Sequence, residues 1–297
     1  MWQGLRQRIK QRGYEKIAYL GTVSDWAPPA EELAVLDELS GGFTWMSTSH
    51  HLREVLTGKG LGKNRGAKVG IASVALDFRF NINPDKGRTY GWQLPYLHLH
   101  CWQTPRYYFN ACVLSTVRQE MECNITGSQR GIGRIGGDFW PAVKSRSGRR
   151  EGTVTERYPE AYWHSLSLGD YLLAPGPEGP VGTARLSIFS EGLQECEARI
   201  AIEAALTDET RKARLGADLA SRAQKLLDER QRYLWVAKGA TPEDLQLDDF
   251  YNKFWDLWLK KWDAPKGNQW FIDSGWQQRT AKLFATAGEV EKALAAK

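Results

Sequence analysis

The sequence lacks any run of roughly 18 apolar residues, the length that a membrane-crossing helix needs, so no membrane span is predicted. Its cysteines are few. Cys101, Cys112, Cys123 and Cys196 form no CxxC pair and no short-range metal spacing, which removes the zinc and redox motifs built on such pairs and leaves the compartment unread. Charge of one sign is also scarce: 40 basic against 35 acidic residues give a net +5. That excess is too mild to predict nucleic-acid binding. The single dense basic cluster, "KSRSGRR" from Lys144 to Arg150, lies in a Gly/Ser context and reads as a solvated loop, whereas phosphate binding needs several basic groups on one face. No nucleic-acid partner is expected. At the N-terminus, "MWQGLRQRIKQRG" carries charges where a signal peptide needs an apolar stretch. Trp2, Leu5 and Ile9 at helical spacing, with Gly13 as a stop, read as the end of an amphipathic helix. A chain that begins in mid-pattern is expected to be part of a longer one, and a secreted or periplasmic address would follow if upstream sequence carried a leader.

What is present points to a two-domain globular chain. At 297 residues the length suits about two domains. Thirteen tryptophans are several times the everyday usage, and flat aromatic faces serve either packing or the apolar faces of sugars and bases.

Short apolar runs at 16–21, 43–50, 68–76, 94–102 and 131–137 read as strands. Helical patterns at 28–42 and about 105–123 fall between some of them. The first helix has Pro at its start and Gly at its end. Such alternation predicts parallel βα units, and the fold class expected is α/β. A full (β/α)₈ barrel takes about 250 residues, so the first part of the chain holds about half of one. The expected organisation is the C-terminal half of a barrel over 1–182 and an α-helical region over 183–297. Helices are predicted at about 184–206, 208–236, 242–262 and 275–296, with Pro265 and Gly267 as breaks. The stretch from Thr207 to Arg232 reads as a solvated amphipathic helix pair. Tyr251, Trp255, Trp258 and Trp262, at spacings of 3 and 4, read as a packing stripe.

Residues 131–136, Gly-Ile-Gly-Arg-Ile-Gly, match the letters G-x-G-x-x-G, and Glu151 follows Gly131 by 20 residues. A dinucleotide loop works because a strand ends in a tight glycine turn that opens directly into a helix, whose amides hold the pyrophosphate. Here the glycines lie inside the strand and a polar loop with Pro141 follows, so no NAD or FAD is expected. Read as a barrel strand, the segment instead presents Asp138 and Trp140 at its C-terminal end, where barrel enzymes keep their sites. An acid beside a stacking aromatic suits a sugar, which has an apolar face and a polar edge; a core tryptophan and a turn cap is the other reading. The same logic selects Asp25 after the first strand and His50 and His51 after the second, of which at most one faces a ligand. His98 and His100 share a strand face, but Cys101 lies on the opposite one and no third ligand is evident, so no metal is expected. Asp37-Glu38 is an adjacent acid pair in the last turn of a helix and reads as surface charge.

The block from Gly169 to Leu206, "GDYLLAPGPEGPVGTARLSIFSEGLQECEARIAIEAAL", resembles the C-terminal part of glycoside hydrolase family 123. The resemblance runs through Gly169, Asp170, Pro175, Gly176, Arg185, Leu186, Glu191, Gly192, Leu193, Gln194, Glu195 and Glu197. "GGDFWP" and "SGWQQRTAKLFATAGEVEKAL" are also similar to that group. The resemblance implies a (β/α)₈ barrel and N-acetyl-β-galactosaminidase chemistry, retaining and substrate-assisted: the 2-acetamido oxygen attacks the anomeric carbon, a Glu protonates the leaving oxygen, and an adjacent Asp orients the acetamido group. It implies a glycan substrate and no cofactor. The Asp-Glu pair of the family has no counterpart here and is expected upstream of Met1. The chain alone is thus expected to hold substrate-positioning residues and to be inactive. The rival expectation is a non-catalytic carbohydrate-binding or scaffold protein on the same fold.

Overall fold

The computed structural model describes residues 2–21, 28–49, 55–56, 67–74, 84–85, 87–88, 90–93, 97–101, 114–126, 130–133, 172–237 and 264–296. The chain is α/β and divides into two compact units, one drawn from 1–77, 94–101 and 129–133, the other from 78–93, 102–128 and 134–297.

The first unit opens with α1, Trp2–Gln11, which buries no residue and ends at Gly13, where a φ of 70° suits only glycine without strain. It packs on α2, Ala30–Ser40. The sequence dictates how α2 stops. Gly41, at φ 75°, donates its N–H to the carbonyls of Asp37 and Glu38, and Gly42 donates to Asp37, which satisfies the last carbonyls in a Schellman arrangement. Asp37 and Glu38 themselves are exposed, as surface charge should be.

Five short strands form a parallel ladder in chain order: β1 (Tyr19–Gly21), β2 (Thr44–Ser49), β4 (Ala67–Val74), β5 (Leu97–Cys101) and β6 (Gly131–Gly133). A further strand, β3 (Val55–Leu56), pairs antiparallel with the start of β4. Parallel neighbours require a crossover, and α2 provides the one between β1 and β2. The register steps between Trp45↔Val69 and Met46↔Ile71, leaving Gly70 unpaired on β4. A Cβ at Gly70 would overlap the Thr44 side chain, so the bulge needs glycine. Trp45, Ser47 and Val69 are buried around it. β1 ends the ladder with no described strand on its outer side, and Ile17 just before it and its own Tyr19 are exposed.

Among the described residues the second unit is helical apart from one hairpin, β7 (Leu173–Gly176) with β8 (Gly179–Gly182). Pro175 faces Pro180 across it. Prolines are tolerated because a two-stranded ribbon consists only of edges. Thr183 then leads into α4, Ala184–Thr207, followed by α5 (Glu209–Ala237), α6 (Ala264–Asp273) and α7 (Trp276–Ala295). The helix α3, Leu114–Thr126, also belongs here and packs chiefly on α4. Ile202, Leu206, Leu226, Leu227, Leu283 and Val290 form the apolar core joining α4, α5 and α7.

Three sequence expectations change at this level. Pro265 and Gly267 do not break a helix but lie in the first turn of α6, where the missing proline N–H would have had no intrahelical partner. The stretch from Thr207 to Arg232 is not a wholly solvated pair: α5 is broken at Gly216, φ 74°, and Arg230 and Gln231 in it are buried. Between Gly169 and the start of α4 the chain forms a hairpin that the sequence reading did not include. The aromatic stretch expected as a helix at 242–262 lies outside the described residues.

Candidate functional site

Asp25, His50, His51, Asp138 and Trp140 all lie outside the described residues. What the fold places is the strand that precedes each in the chain. β1 ends four residues before Asp25, β2 ends immediately before His50, and β6 ends five residues before Asp138. Parallel strands end on one edge of a sheet, so β1, β2 and β6 finish at the same edge. β5 contains His98 and His100, whose backbones pair with Ala72 and Val74. Among the described residues no group of three His, Cys, Asp or Glu could hold a metal ion.

Among the described residues the densest ionisable cluster lies elsewhere, in the core of the helical unit. Residues 117–126 of α3 are buried without exception, so its charged residues must find partners inside. Spacing of four places Arg118 and Glu122 on one side of α3, and Glu195, Arg199 and Glu203 along one side of α4. Arg230 of α5 completes the set. Its guanidinium grips Glu122 with two bonds, Nε to Oε1 at 2.9 Å and Nη2 to Oε2 at 2.6 Å, and Nη2 also reaches Glu195 Oε2 at 2.9 Å. Arg199 donates to Glu122 at 3.1 Å and to Glu203 at 2.7 Å. Arg118 donates to Glu195 at 2.8 Å and to the more exposed Glu191. Thr280 of α7 donates to Glu195 at 2.8 Å, and Trp92 Nε1 donates to Glu203 at 2.9 Å.

Three buried guanidinium groups thus face three buried carboxylates. Two of the carboxyls shift in opposite directions. Burial works to raise the Glu122 carboxyl, but Arg230 and Arg199 outweigh it and hold it below the usual carboxylate range. Glu203 has one guanidinium partner, and there burial prevails over Arg199 and Trp92 and pushes the carboxyl up. Burial acts to lower Arg230 and is overcome by Glu122 and Glu195, which keep it firmly charged. The buried Cys196 thiol is pushed far up, chiefly by burial, and is no nucleophile.

With its acids and bases engaged to one another and closed from solvent, this cluster joins helices. It does not present a reactive group. Sequence reading passed over Arg118, Glu122, Arg199, Glu203 and Arg230, because charged residues four apart in polar helices carry no mark of burial. The quoted resemblance block supplies Glu191, Glu195, Arg199 and Glu203 to this cluster. Glu195 ties α4 to α3, α5 and α7, and Gly192 is where the α3 and α4 backbones meet.

The described residues therefore define an α/β chain with a parallel sheet and a helical unit locked by a buried Arg–Glu lattice. Comparison with known proteins returned no matching family model and no matching curated protein.

Proposed function

We propose that this chain is the glycan-holding part of a glycoside hydrolase acting on 2-acetamido sugars, of the N-acetyl-β-galactosaminidase type, built on part of a (β/α)₈ barrel. One observation carries the reading: Asp25, His50, His51, Asp138 and Trp140 all follow, in the chain, strands that end on one edge of a parallel sheet, the edge at which such folds keep their sites. The Gly169–Leu206 resemblance supports it. In this reading Asp138 hydrogen-bonds sugar hydroxyls, Trp140 stacks on the pyranose, and Asp25 with His50 or His51 orients the substrate. The acid that protonates the leaving oxygen is assigned to no residue of this chain, since Asp37 and Glu38 are exposed on α2.

Non-catalytic carbohydrate binding on the same fold is the second reading, favoured by that missing assignment. Isothermal titration of the chain with N-acetylgalactosamine, N-acetylglucosamine and glucose tests the shared part. Saturable binding of an acetamido sugar that Asp138→Ala and Trp140→Ala both abolish is the expected result. Binding that survives both substitutions excludes the proposed site, and no binding of any sugar removes both readings. Release of nitrophenol from an aryl N-acetyl-β-galactosaminide by this chain would instead locate the acid within it.

A further inference from the structure

A cleft of about 650 Å³ opens in the helical unit, bounded by the starts of α3 and α4 and by the corner between α6 and α7. Its walls are largely apolar, with Leu114, Ile188, Phe271 and Trp276 among them. Among the described residues two arginines line it and no acid does. Arg118 is already satisfied: Glu195 takes its Nε, and its guanidinium lies 4.5 Å from the centre of the Trp276 ring. Arg185 differs, for its Nε is buried and has no hydrogen-bond partner. A buried donor left unmade is unfavourable, and a ligand oxygen would relieve it.

The start of α4 adds to the same imbalance. Thr183, at the N-cap, turns its hydroxyl away and donates it to the Leu172 carbonyl at 2.9 Å, leaving the first amides of a long helix without a side-chain cap. The first turn contains no acid to offset the positive end of the helix dipole. The cleft, the unpartnered Nε of Arg185 and the helix start without a side-chain cap all call for negative charge, while the wall calls for an apolar body.

We infer that this cleft binds a small organic carboxylate with a planar apolar body. The carboxylate meets Arg185 and the first amides of α4, and the body lies along the apolar wall by Ile188 and Phe271. Phosphate has no apolar body to cover that wall and would leave most of the cleft unfilled. The site is independent of the glycan reading.

Saturation-transfer NMR and calorimetry on the full chain test it, with 3-phenylpropionate, its neutral amide and inorganic phosphate as probes. The carboxylate is expected to bind, with the amide about tenfold weaker or more, the factor that loss of one charge-assisted hydrogen bond gives. Arg185→Met should bring the carboxylate down to the level of the amide, while Arg8→Met, in the other unit, should leave it unchanged. The comparison of carboxylate with amide on the unaltered chain decides the matter even if Arg185→Met fails to fold. Equal binding of the two, unchanged binding to a folded Arg185→Met chain, binding of phosphate alone, or no binding of 3-phenylpropionate each overturn the inference.

Discussion

Gly192 of α4 lies against the backbone carbonyl of Arg118 on α3, so close that a Cβ at position 192 would overlap that oxygen. Backbone does not swing aside as a flexible side chain can, so Gly192→Ala must push the two helices apart. A loss of about 1–3 kcal/mol is expected, the usual cost of overpacking a core, and denaturant titration reads it. A variant as stable as the parent would show that the helices are not in contact there.

Other glycines give the opposite and the intermediate result. Gly288, inside α7, has open space where a Cβ would go, so Gly288→Ala should stabilise by up to about 1 kcal/mol through helix propensity alone. Gly216 also has open space, but its φ of 74° penalises any side chain. Gly216→Ala should therefore cost about 1–2 kcal/mol, a difference in sign from Gly288→Ala that thermal unfolding of the pair would reveal.

Glu122 and Glu203 should answer the same change differently. Glu122→Gln leaves Arg230 and Arg199 short of a charge in the core and should cost about 3–5 kcal/mol. Glu203→Gln keeps one acceptor oxygen in place of two, so either Arg199 or Trp92 loses its partner, but it also removes a carboxylate that burial disfavours, and its cost should be smaller, about 1–3 kcal/mol. Equal losses in chemical denaturation would contradict the distinction.

Their pH signatures also oppose. The Glu122 value is lowered on folding, so its contribution is present above the ordinary carboxylate value and is lost as pH falls through the lowered one. The Glu203 value is raised, so the folded form holds that proton more tightly, and its contribution declines as pH climbs from the ordinary value through the raised one. Urea midpoints measured across about pH 4 to 8 should show a decline on the upper side that vanishes in Glu203→Gln. A decline that persists unchanged in that variant would assign it to another group.

Leu283 and Phe284 are neighbours with opposite fates. Leu283 is wholly buried in the core of α4, α5 and α7, whereas Phe284 is 42% exposed. Leu283→Ala should cost about 2–5 kcal/mol by leaving a cavity, and Phe284→Ala much less. The comparison of unfolding midpoints checks the facing of α7.

Periodicity made much of this legible. The strand-helix alternation, the Gly-stopped α2 and the spans of α4 and α7 follow from spacing and from cap residues, which act locally. The buried lattice did not follow, because a Glu and an Arg four apart look the same on a wet surface and in a core. Only the long-range partners of Glu122, 77 and 108 residues away, distinguish the two. Pro265 misled for a related reason: a proline breaks a helix from within yet begins one well, and the letter does not say which. The candidate sugar-site residues follow strands whose existence the alternation implied. Their own placement lies outside the described residues.

The six interlocked charges also bear on how the helical unit finds its alignment. Within the six, Arg118 and Glu122 cancel on α3, and Glu195 and Glu203 balance Arg199 and Arg230 across α4 and α5. What their order along the helices provides is a key: sliding α3 by one turn would set like charges against one another in a medium that cannot screen them. Apolar side chains alone tolerate such a slip more readily, and the lattice forbids it.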